Sequence, residues 1–95
     1  MSEVLALGER GGISGPRALE LLAGLPVTSP AATGAAALMV SGDHAPRFPV
    51  RLVEKDLRYA VAGGGGPVLD AVRERFGAAV VAGLADANLT AIRAL

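Results

Sequence analysis

Cysteine is absent from this 95-residue chain, and lysine nearly so. Without cysteine there is no disulfide framework, no thiolate metal site and no thiol nucleophile. Histidine occurs once, at His44, which excludes a cluster of histidines around a metal. Aromatic residues make up only 3% of the chain, so Leu, Val, Ile and Ala must supply the core. The formal charge is zero and there is no basic tail, so nothing here attracts nucleic acid electrostatically. Apolar runs such as AAVVAGLA at 78–85 fall far short of the ~20 residues needed to span a bilayer. The first residues, MSEVLALGER, carry Glu3 and lack the basic start of a signal peptide. These features predict a cytoplasmic protein without membrane association.

Apolar residues are plentiful. They make up 52% of the chain, and the mean hydropathy is +0.47. Most are small or aliphatic, and each buries little area at about 25 cal/mol per Å². A chain of this length also buries a smaller fraction of its surface than a long one. One small domain over 1–95 is expected, with apolar surface left for a partner.

The chain reads as helices separated by glycine and proline. Ser2 is placed to cap a helix running to about Arg10, with Gly11 and Gly12 ending it. Pro16 and Pro30 suit first-turn positions of two further helices, the second running through Val40. In the first of these, Leu19, Leu22 and Ala23 form the apolar stripe. Ser41, Gly42 and Asp43, with Pro46 and Pro49, mark a loop.

The helix at about 48–62 has the clearest periodicity. Val50, Val53, Leu57, Ala60 and Val61 make its apolar stripe, and Glu54 precedes Arg58 in the favourable i, i+4 order. Gly63–Gly66 ends it and Pro67 starts another, with Val68, Val72, Phe76, Ala79, Val80 and Gly83 facing inward. Asp86 or Asn88 caps a short final helix containing Leu89, Ile92 and Leu95. No period-two alternation is long enough for a strand, so the fold class is all-α. Gly8, Gly34, Gly77 and Gly83 each cost a helix about 1 kcal/mol relative to Ala, which is explained if another helix approaches them closely.

The only lysine among nine basic residues is Lys55, in VEKDLRYAV at 53–61. A lysine is a compact point charge, a poor substitute for the forked guanidinium that this chain uses elsewhere. Arg47, Arg51, Lys55 and Arg58 follow at spacings of four, four and three, which stacks them on one helix face. Such a row is either solvent-facing or a set of donors for an anionic ligand such as a dinucleotide. The glycine quartet lacks the preceding strand of a phosphate-binding loop and reads as a helix break. His44 reads as a solvated loop residue.

Residues 46–60, PRFPVRLVEKDLRYA, resemble the middle of the C-terminal helical domain of the β-hydroxyacid dehydrogenases, a family that includes 3-hydroxyisobutyrate dehydrogenase and tartronate semialdehyde reductase. The pattern is carried by Phe48, Val50, Leu52, Lys55, Asp56, Leu57 and Ala60. Residues 5–13, LALGERGGI, resemble the end of the family's interdomain helix, and Ser41-Gly42-Asp43 its Gly-Asp turn. Phe76, Ala79, Gly83, Asp86, Leu89, Ala91 and Ile92 match the closing pattern.

The resemblance implies a bundle of five to six helices like the C-terminal part of 6-phosphogluconate dehydrogenase. Residues 1–12 would be the end of the interdomain helix, and 13–95 a dimerisation and cofactor-cleft domain. It implies that Lys55, and with it Asp56, contacts NAD or NADP. It also implies a homodimer or a separate Rossmann-domain partner, and no catalytic residue or metal ligand in this chain. The family's Rossmann fingerprint and catalytic lysine lie upstream of the matching region, so the chain alone is expected to be inactive. The stretch from Lys55 to Pro67 is shorter than the family's by about one turn of 3.6 residues, which predicts that the Lys55 helix ends early or frays. The reading from another class is a non-catalytic helical module that self-associates or docks on a dehydrogenase subunit.

Overall fold

Proline sets where three of the helices begin. In the computed structural model, which describes residues 1–95, α1 spans Ser2–Arg10, α2 Gly15–Ala23, α3 Pro30–Ser41, α4 Val50–Ala62 and α5 Pro67–Val81. A 3₁₀ helix, Leu89–Ala94, closes the chain. Pro16, Pro30 and Pro67 occupy first-turn positions of α2, α3 and α5, where the missing N–H has no intrahelical partner to lose. The Ser14 and Ser29 hydroxyls accept from the amides of Arg17 and Ala32, satisfying donors that a helix start leaves over. Ser2 does not cap α1: it lies inside the helix, and Met1 holds the cap position. The all-helical expectation holds, with six helices and no strand. No helix is long and apolar enough to cross a membrane.

The chain falls into two compact units, Met1–Asp43 and His44–Leu95. In the first, α1, α2 and α3 pack on one another and bury Leu5, Ala18, Ala36 and Met39. Ala18, rather than the expected Ala23, is the buried alanine of α2. A Cβ at Gly8 would meet that of Ala18 at 3.6 Å, an ordinary contact, so the packing of α1 on α2 does not require glycine there. Gly42 ends α3 at φ +72°, a left-handed conformation that costs glycine little.

In the second unit α4 and α5 pack together, and the 3₁₀ helix contacts both. Val50, Phe76, Ala79 and Ala91 form the buried centre, with Val53, Leu57, Leu84, Ala87, Leu89 and Ile92 around it. The expected stripe of α5 is thus only half right. Phe76 and Ala79 are buried, whereas Val68, one end of the same stripe, is 78% exposed. Ala60 on α4 is also exposed, because the core extends only as far as the second half of α5 and the 3₁₀ helix cover it.

Helix α4 starts at Val50, two residues later than its periodicity suggests, and runs unbroken to Ala62. Its last residue is Ala62, directly before the glycine quartet. The amides of Val50 and Arg51 donate to the carbonyls of Ala87 and Ala85, at 2.9 and 3.0 Å. Two donors exposed at the helix start are thereby used to join α4 to the loop after α5.

Candidate functional site

Lys55 sits in the middle of α4, and its position follows from the stripe that α4 buries. Val50 points into the core with Val53 and Leu57 packed beside it, which turns 51, 55 and 58 toward solvent at about 100° per residue. The Lys55 side chain is 43% exposed. Its Nζ lies 3.1 Å from Asp56 Oδ1 and 5.8 Å from the centre of the Tyr59 ring. Asp56 leaves the helix on a different bearing, but the four-carbon lysine stem is long enough to bridge it. An ammonium carries three donors, so the Asp56 contact leaves two for an outside acceptor. Tyr59 is itself exposed and also meets the Arg58 guanidinium, 5.3 Å from its ring centre.

The rest of the basic row is occupied differently from what its spacing suggests. Arg47 precedes the helix and does not lie on its face. Arg51 Nε donates to Asp86 Oδ1 at 2.7 Å, so this cation is tied to the loop after α5. Arg58 pairs with Glu54 at 3.6 Å, as the i, i+4 order predicts. The face is therefore a set of cation–carboxylate pairs rather than an open stripe of positive charge. Lys55 is distinguished by chemistry and placement.

The glycine quartet contributes no anion cradle. The amides of Gly63, Gly64 and Gly65 all donate back to carbonyls of Tyr59 and Val61, so they are spent on closing α4. Gly64 takes φ +107°, and a Cβ on Gly65 would fall 2.9 Å from Val61 Cα. Two glycines of the four are thus demanded by the turn itself. These amides do not form a dinucleotide-binding loop.

A polar cluster beneath the start of α4 escapes a reading of local sequence. Asn88 is 3% exposed and Thr90 1% exposed. Asn88 Oδ1 accepts from the Phe48 amide at 3.0 Å, and its Nδ2 donates to Thr90 Oγ1 at 2.9 Å. His44 Nδ1 is 3.0 Å from the same hydroxyl oxygen, so the histidine is a half-buried structural partner and not a solvated loop residue. Asn88 occupies the cap position of the 3₁₀ helix as expected, yet its side chain makes no capping bond. With the backbone bonds Asn88 to His44 and Leu89 to Phe48, the cluster fixes the segment leading into α4.

Compared with known proteins, the chain superimposes on part of a crystal structure of 3-hydroxyisobutyrate dehydrogenase from Salmonella typhimurium with a TM-score of 0.86. Sequence identity is 24%, and the match covers 98% of this chain and 34% of that one. The chain thus has the fold of about a third of that dehydrogenase. No protein-family profile and no curated protein matches the chain.

Proposed function

We propose that this chain is the C-terminal helical domain of an NAD(P)-dependent 3-hydroxyacid dehydrogenase, in which it supplies a subunit contact and one wall of the cofactor cleft. The observation carrying this reading is the superposition over 98% of the chain on one third of a 3-hydroxyisobutyrate dehydrogenase. The resemblance around Lys55-Asp56-Leu57 points to the same part of the same kind of enzyme. In that enzyme the cofactor carries out reversible hydride transfer with a small hydroxy acid or semialdehyde.

Within this reading, Lys55 gives an ammonium donor to an acceptor atom of the cofactor. Asp56 holds that ammonium in place, and the Tyr59 ring supports it by attraction of a cation to an aromatic face. Residues 1–12 form the end of the interdomain helix. The dinucleotide-binding surface comes from a Rossmann domain. A partner copy covers apolar side chains that this chain leaves in water, such as Val68 and Val81.

The test is a chimera. This chain is fused behind the Rossmann domain and interdomain helix of a 3-hydroxyisobutyrate dehydrogenase, and cofactor-dependent turnover is followed by the absorbance of the reduced nicotinamide. Turnover that falls when Lys55 is replaced supports the proposal. A folded, dimeric chimera that neither binds cofactor nor turns over contradicts it and favours the helical docking module.

A further inference from the structure

We draw no further inference here: the strongest candidate, the exposed apolar face of α5 formed by Val68, Leu69 and Val72, carries nothing because nothing in the structure shows what covers it.

Discussion

The imidazole of His44 lies 3.0 Å from the hydroxyl of Thr90, a residue 46 positions further along the chain. Thr90 is also the acceptor for Asn88, whose carbonyl oxygen holds the Phe48 amide. These bonds anchor the loop before α4 to the closing 3₁₀ helix, and α4 carries Lys55. The placement of the candidate cofactor contact therefore depends on side chains far from it in sequence.

Asn88→Ala is expected to destabilise the chain by about 1–3 kcal/mol, because it removes the partner of the Phe48 amide and leaves the buried Thr90 hydroxyl with His44 alone. Asp86→Ala, only two residues away, removes an exposed pair with Arg51 and should cost no more than about 1 kcal/mol. Urea unfolding midpoints measure both. Equal midpoints for the two variants would show that the buried cluster adds nothing.

Glycines in the helices give a second contrast. A Cβ at Gly34 or Gly77 would meet nothing within 4 Å, so neither is explained by close approach of a helix from this chain. Gly34→Ala and Gly77→Ala should each raise stability by up to about 1 kcal/mol. Gly65→Ala should lower it, since the new Cβ falls on the backbone of Val61. Thermal unfolding should show two rises and one fall. A loss of the oligomer in Gly34→Ala or Gly77→Ala, seen by sedimentation, would instead place that glycine at a subunit contact.

Much of the fold was legible because its signals are local. Serine caps, first-turn prolines and the glycine quartet act within a few residues, and they located helix ends to within about two positions. The periodicity of α4 correctly gave Val50, Val53 and Leu57 their inward face. Periodicity could not tell how far along a helix its cover extends, so Val68 was assigned to a face that the second unit leaves open. The His44–Thr90–Asn88 cluster was hidden for a different reason. Its bond from Asn88 to Phe48 spans 40 positions, and each residue type alone is ordinary in a loop or at a helix cap. At the candidate site, spacing identified the face that carries Lys55 and the Glu54–Arg58 pair, but not Asp86, which lies 35 positions from the Arg51 it occupies.

The isolated chain is expected to be at least dimeric. Val68 and Val81 are 78% and 90% exposed, and water contact with such side chains is relieved by association. Light scattering at about 10 µM, which detects association stronger than about −7 kcal/mol, should report a mass above that of one chain. A stable monomer at that concentration would count against the subunit-contact role.

Purified alone, the chain should show no hydride transfer with NAD or NADP and any small hydroxy acid. The amides of Gly63, Gly64 and Gly65 donate back into α4, and no strand–loop–helix unit is present to take a dinucleotide. Reduced nicotinamide produced by rigorously purified chain would overturn this.

The decisive residue is Lys55, measured in the chimera with a Rossmann domain. Lys55→Ala removes one charge-assisted contact, about 1.5–3 kcal/mol, which corresponds to roughly a 10- to 150-fold loss in kcat/KM. Lys55→Arg should also impair turnover, because a planar fork does not fit where a point charge is held against Asp56. Arg58→Ala disturbs only an exposed pair with Glu54 and a contact with Tyr59, so its cost should stay near or below about 1 kcal/mol. Asp56→Asn separates positioning from contact: it keeps the size of the side chain, frees the ammonium, and should weaken turnover less than Lys55→Ala does. If all four substitutions act alike and within about 0.5 kcal/mol of neutral, as ordinary surface changes do, Lys55 is a solvated helix residue and the cleft assignment fails.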